Sequence, residues 1–207
     1  MHDPSSREAI RVAAASSDRF LRAGDLDVPA YALAQAERAG LIERIVPGIY
    51  LGPGWPRQRL TEAAAWTLRH PDAVAGLITA AVYHELTDAF ERGTWLLVPH
   101  GTSPPRSQTS GVHVVQVAPW MLHPADDAAN GILHATAHGV TVRVTSPDRT
   151  VLDLWRYPQL ISAEHALVAL RRRVSTPGFN VPAFARLARR LGAWSKVEQT
   201  LQGMMVR

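Results

Sequence analysis

Three observations predict an α+β protein: an N-terminal winged helix–turn–helix, then a mixed α/β domain ending in a helical segment. Residues 20–52 carry a helix–turn–helix pattern that runs straight into a Pro-Gly hairpin. Residues 139–145 alternate valine with polar residues, the period-2 pattern of a half-buried strand. Residues 148–204 hold four successive stretches with helical apolar spacing. The expected division is residues 1–56 for the winged module and 57–207 for the mixed domain. The Gly- and Pro-rich stretch GPGWPRQ at 52–58 joins them.

The winged module is read as follows. A leading helix runs from about Ser6 to Ala15, and Arg22–Leu26 fits a short second helix that ends near Asp27-Val28. Pro29 suits the first turn of the next helix, where a missing N–H costs nothing. That helix covers Ala30–Ala39, and Gly40 follows at the usual place for a left-handed cap. Two β-prone runs, Ile42–Val46 and Ile49–Leu51, flank Pro47-Gly48, where Pro presets φ and Gly supplies a positive φ.

In the mixed region, Thr61–Arg69 and Ile78–His84 read as helices, and Thr94–Val98 and Val112–Val117 as strands. Residues 99–111 form a long polar loop with three prolines. After the 139–145 strand come helices over Asp148–Trp155, Ala163–Arg173, Val181–Leu191 and Ser195–Met204. Asn180 is placed to cap the third and Gly192 to end it.

Composition narrows the function classes. At 207 residues and 46% hydrophobic, the chain can bury one large or two small cores. It has no cysteine, which excludes a disulfide scaffold and thiolate metal sites. No apolar run approaches the ~18–20 residues that span a bilayer. The first residues carry acids and lack a long apolar core, so no signal peptide is expected and a cytoplasmic protein is. The net charge of +4 is unevenly placed. In residues 1–56 six arginines face seven acids, whereas residues 149–207 hold ten cations against three acids.

Helix, tight turn, helix and hairpin is the order that delivers a recognition helix and a wing to DNA, although the same geometry also packs against protein. Tyr31, Gln35 and Arg38 share a face of the presumed second helix at spacings of four and three. Gln and Arg suit base edges or phosphates, Tyr suits a phosphate, and Arg44 sits at the wing beside the backbone. Ala32, Leu33 and Ala36 face the core. Two further clusters, Arg171-Arg172-Arg173 and Arg186/Arg189/Arg190, lie late in predicted helices. Cations there are favoured by the helix dipole, or else form a basic surface for nucleic acid or an acidic partner.

Enzymatic signals are weak. Asp126-Asp127 are adjacent acids in a turn-like segment, His134 and His138 are four apart with no third ligand, and His84-Glu85 lacks the second histidine of a zincin. No nucleophile elbow, phosphate loop or dinucleotide fingerprint is present, and the residue two before the only lysine is Trp194, which excludes a Glu-x-Lys nuclease core. No enzyme, metal or cofactor is expected. The motif VTSPDRTVLDLW at 144–155 is less bland. Ser146 or Asp148 can cap the following helix, and Arg149 and Asp153 stand at i, i+4, spaced for an ion pair. Either the motif pins its helix to the sheet, or it contacts a ligand.

The order of these parts resembles the AbiEi family of antitoxins from type IV toxin–antitoxin systems. The matching residues are Gly40-Leu41-Ile42-Glu43-Arg44 with Pro47-Gly48-Ile49-Tyr50, Ala64-Ala65-Trp66 with His70-Pro71, Ala80-Ala81 with His84-Glu85-Leu86-Thr87, and Thr145-Ser146-Pro147-Asp148-Arg149-Thr150 with Asp153. The wing departs from the pattern: Val46 precedes Pro47-Gly48 where many relatives have a basic residue before the glycine. The resemblance implies a winged helix that binds inverted repeats of double-stranded DNA in its own promoter, as a homodimer or cooperative pair. It also implies a C-terminal antitoxin domain that counters a nucleotidyltransferase toxin, with or without direct contact. On this reading Tyr31, Gln35, Arg38 and Arg44 contact DNA. Arg149, Asp153, Arg171, Arg172, Arg173, Arg186, Arg189 and Arg190 form the partner surface. The same sequence supports a protein-interaction module, or a ligand-sensing regulator with little sequence-specific DNA binding.

Overall fold

The computed structural model describes residues 4–89, 92–102 and 111–205. Most of the polar loop expected at 99–111 therefore lies outside the described residues. The class is α+β: helices, a two-stranded and a five-stranded sheet, and a described chain that ends in a helix. Contacts divide it into two units. The first is Met1–Pro71 with Thr136–Thr141; the second is Asp72–Ala135 with Val142–Arg207.

The first unit begins with α1 (Pro4–Ser16), then a single 3-10 turn (Ala23–Asp25) and α2 (Ala30–Arg38). The helix expected at Arg22–Leu26 shrinks to that one turn. Arg22 is extended, Asp27 takes a positive φ of 51°, and only the three residues Ala23–Asp25 remain helical. Arg22 holds the turn instead with a two-pronged grip on Asp25, at 2.7 and 2.8 Å. Pro29 is the N-cap of α2, extended at ψ 144°, and not a first-turn residue. The far end of α2 closes as the sequence predicts. Gly40, at φ +70°, donates to the Glu37 carbonyl, and Leu41 donates to that of Ala36, so two orphan carbonyls are satisfied at once.

The chain then turns into the hairpin β1 (Glu43–Val46) and β2 (Ile49–Leu51), paired Glu43↔Leu51, Arg44↔Tyr50 and Val46↔Ile49. Gly48 takes φ +79° in the turn. Leu21 bridges to Tyr50 through both backbone bonds, at 2.8 and 3.1 Å, and so ties the segment before the 3-10 turn to the edge of the two-stranded wing. Ile10, Leu21, Leu33, Ala36, Ile42 and Tyr50 share one core beneath. Helix α3 (Thr61–Arg69) belongs with this unit although it follows the Gly/Pro stretch.

The second unit carries β3 (Val74–Ala75), α4 (Leu77–Tyr83), β4 (Thr94–Pro99), β5 (Val112–Val117), β6 (Ile132–Ala137) and β7 (Val140–Thr145). Four helices follow: α5 (Pro147–Arg156), α6 (Ala163–Ser175), α7 (Val181–Arg190) and α8 (Trp194–Met205). The sheet order is β5-β4-β3-β7-β6; β4 runs parallel to β5, and β3 parallel to β7 and antiparallel to β4. Strands β3 and β6 lack a readable pattern. One is two residues long, and the other shows an irregular mix of buried and exposed positions rather than alternation. The helix caps fall where expected. Ser146 Oγ accepts from the Arg149 N–H, and Asn180 Oδ1 from the Ala183 N–H.

The cap at Gly40 gives a clean stability test. An added Cβ there meets nothing within 4 Å, so Gly40→Ala pays only for the left-handed backbone. We expect a loss of about 1–2 kcal/mol, read from the denaturant midpoint with an unchanged slope.

Candidate functional site

Helix α2 turns Ala32, Leu33 and Ala36 inward. Three expected contact residues, Tyr31, Gln35 and Arg38, are exposed together on the opposite side. Tyr31 is 53% exposed, a large aromatic side chain left on the surface. Among the described residues Arg38 makes no ion pair.

The wing is differently occupied. Arg44 Nη2 donates to Glu37 Oε2 at 2.6 Å, and its guanidinium lies 5.8 Å from the Tyr50 ring centre. The bond to Glu37 raises the Arg44 pKa above its ordinary value. Both partners reach solvent, and such pairs contribute at most ~1 kcal/mol, so a phosphate oxygen competes readily for Arg44. Sequence reasoning missed two further cations here. Arg69, at the end of α3, donates to the carbonyl of Pro47 in the wing turn, and Arg57 is held between Glu43 and Glu62. Residues 57–71 thus bring Arg57, Arg59 and Arg69 to the unit against the one added acid Glu62. The slightly acidic balance of residues 1–56 becomes slightly basic.

The tip between β6 and β7 also belongs to this unit. His138, at φ +50°, is buried; its Nδ1 meets the Asp18 carbonyl at 2.7 Å and its Nε2 the Thr61 hydroxyl at 2.8 Å. His134, on β6, pairs instead with Asp127 at 3.0 Å. The two histidines therefore do separate structural work. Among the described residues no group of three or more His, Asp or Glu is placed to hold a metal ion.

The expected partner surface needs correction at two of its residues. Arg149 and Asp153 are both 0% exposed, so neither offers a surface to a partner. Arg149 Nε donates to Asp153 Oδ2 at 2.7 Å, and its Nη1 to the Asn130 carbonyl at 2.8 Å. Arg156 grips the other carboxylate oxygen at 2.8 Å. The spacing i, i+4 set the pair, but only the fold buries it. Asp126 and Asp127 do lie in a turn-like segment, but Asp127 is buried and takes a two-pronged bond from Arg143.

The arginine clusters are largely engaged. Arg172 bonds Asp88 and the Glu85 carbonyl. Arg173 bonds Asp148 at 2.5 Å and lies over Phe179. Arg189 lies over Trp194, while Arg190 bonds Asn130 Oδ1 at 2.8 Å and covers Trp120. Among the described residues Arg171 and Arg186 have no such partner, and both are exposed.

No family model matches the chain, and no curated protein does. Among solved structures, the chain is similar to the RV2827C protein from Mycobacterium tuberculosis, at 15% identity and a TM-score of 0.68. That match covers 97% of this chain and 78% of the other. At this identity the likeness is one of fold. No helix among the described residues is long and apolar enough to cross a membrane.

Two outcomes test the second unit. Arg149→Ala leaves the buried Asp153 with only Arg156, and we expect a loss of about 3–5 kcal/mol in chemical unfolding. Arg186→Ala, at an exposed unpaired site, should stay within about 0.5 kcal/mol of the native chain. A further test concerns pH. Burial holds the His84 imidazole below its ordinary value of 6.5, outweighing its bond to the Thr145 carbonyl at 2.7 Å, and Arg173 pushes the same way. Because the unfolded chain takes up this proton first, the stability from His84 is complete above pH 6.5 and drains away as pH falls toward the lower folded value. Thermal unfolding from pH 7.5 to about 5 should lose stability less steeply in His84→Gln than in the native chain. His70, also held down by burial, keeps some slope in both.

Proposed function

We propose that the protein is a DNA-binding transcriptional autorepressor and the antitoxin of a type IV toxin–antitoxin system, countering a nucleotidyltransferase toxin. The observation that carries the DNA role is the shared, exposed face of Tyr31, Gln35 and Arg38 on α2, followed by a two-stranded wing bearing Arg44. A helix docked N-terminus-first in the major groove puts such residues at base edges and phosphates, while a wing follows the adjacent backbone. The antitoxin role rests on the resemblance to the AbiEi family over nearly the whole chain. Arg69 at the wing turn joins the proposed phosphate contacts. On an inverted repeat, two copies bind together.

A second reading has one observation in its favour. Arg44 is already tied to Glu37 and Arg57 to Glu43 and Glu62, so few wing cations are free, as in a module that packs against protein.

The test is a titration against the DNA upstream of the protein's own gene, at several salt concentrations. We expect log K to fall linearly with log salt, and Arg38→Ala or Arg44→Ala to lower affinity and flatten that slope by about one unit per lost phosphate contact. Gln35→Ala should weaken discrimination among sequences by about 1–3 kcal/mol. The same variants should still neutralise a co-expressed nucleotidyltransferase toxin. Weak binding equal on random DNA and unaffected by these substitutions would hand the site to the protein-interaction reading.

A further inference from the structure

Helix α7 has two working faces. Phe184, Ala185 and Ala188 are buried in the core of the second unit. Ala183, Arg186, Leu187 and Arg190 recur at i, i+3, i+4 and i+7, and line a cleft of ≈ 480 Å³ whose other wall includes Ile132 and Leu133 of β6. Its lining is largely apolar, and Arg186 and Arg190 supply the cations. Asp148 also lines the cleft, but its charge is met by Arg173 at 2.5 Å. The uncompensated charge is therefore positive.

The two cations differ in a telling way. Arg190 is fixed, with Nε on Asn130 Oδ1 and its plane over the ring of Trp120. It also ends the helix, where the dipole favours a cation. Arg186 lies a turn earlier and has no partner among the described residues. Two like charges at i, i+4 oppose helix formation slightly. Two large apolar side chains here are exposed: Leu133 in the cleft wall at 46%, and Trp120 beneath Arg190 at 43%. Moreover, β6 is an edge strand, and edge strands leave backbone groups on one side without a strand partner.

We propose that this cleft docks an acidic segment of a protein partner, seating an apolar side chain against Ile132, Leu133 and Leu187 and a carboxylate between Arg186 and Arg190. Arg suits the carboxylate because its fork bonds both oxygens at once. A phosphodiester backbone would satisfy the arginines but leave the apolar wall and rim uncovered. The proposal stands on the second unit alone and does not require the DNA role.

The experiment pans a random peptide library against the full chain and measures the enriched peptides by fluorescence polarisation. The expected peptides carry Asp or Glu beside Leu, Ile or Phe, and their binding weakens with added salt. Arg186→Glu, which reverses the charge, and Ala183→Trp, which fills the cleft, should each weaken them at least about tenfold, the scale of one charge-assisted contact. Both variants should keep the native melting temperature and the native affinity for promoter DNA. Three results would overturn the proposal: no enrichment of acidic–apolar peptides, equal binding by both variants, or loss of DNA affinity in Arg186→Glu with peptide binding unchanged. The last would give Arg186 to phosphates. Failure of the DNA reading appears separately, in the Arg38 titration.

Discussion

The buried ion pair of Arg149 and Asp153 is the constraint on which the second unit depends. Taking both charges out of water costs several kcal/mol per ion, and their attraction repays this only with good geometry and further hydrogen bonds. Here those bonds reach in three directions. Arg149 reaches the Asn130 carbonyl, Arg156 completes Asp153, and Asn130, itself fully buried, bonds the Trp120 carbonyl and receives Arg190. One carboxylate and one amide thus tie α5, the turn before β6, the segment at Trp120 and the end of α7. Such a pair adds little net stability over an apolar replacement, yet breaking it strands a charge. Arg149, Asp153 and Arg156 all lie on α5, so a slide of the helix would keep the pair and lose the bond from Arg149 to the Asn130 carbonyl; that bond ties α5 to the turn before β6.

The same economy explains the arginine-rich tail. A count of ten cations against three acids suggests a strong positive field. Part of it is met by acids outside the tail: Asp88 meets Arg172, and Asp148 meets Arg173. Aromatic rings take a further share, with Trp194 under Arg189 and Trp120 under Arg190. Net charge by sequence segment is therefore a poor guide to free charge. Among the described arginines of the tail, Arg171 and Arg186 are the ones with neither an acid nor a ring beside them.

The sequence was most readable where a local rule decides the structure. The cap at Gly40, the turn at Pro47-Gly48, the helix at Thr61–Arg69 and the strand at Val112–Val117 each follow from residues within a few positions. Reading failed where tertiary contacts decide. Strand β3 exists because two residues pair with β4 and β7, and nothing in Val74-Ala75 announces it. Arg22–Leu26 has helical content, but Asp27 ends it within a turn. For the candidate sites the division is similar. The shared face of Tyr31, Gln35 and Arg38 follows from helical period alone. The pairing of Arg149 with Asp153 was legible and its burial was not, because burial depends on Asn130 and α7, far along the chain. Arg69 at the wing turn was invisible for the same reason: it lies 22 residues from Pro47.

On the proposed DNA reading, the modest charge of the winged module has a physical consequence. Each neutralised phosphate adds a share of affinity through released counterions, and that share disappears as salt rises. A module with few free cations gains little from this source, so its attachment to arbitrary DNA is weak. The energy of a specific complex must then come from base edges, at α2, and from the second copy that an inverted repeat brings alongside. Low charge in this setting lowers the background more than the signal. It leaves occupancy of the correct site to geometry: Gln35 and Arg38 on a rigid, capped helix, and Arg44, which must release Glu37 before it can reach a phosphate.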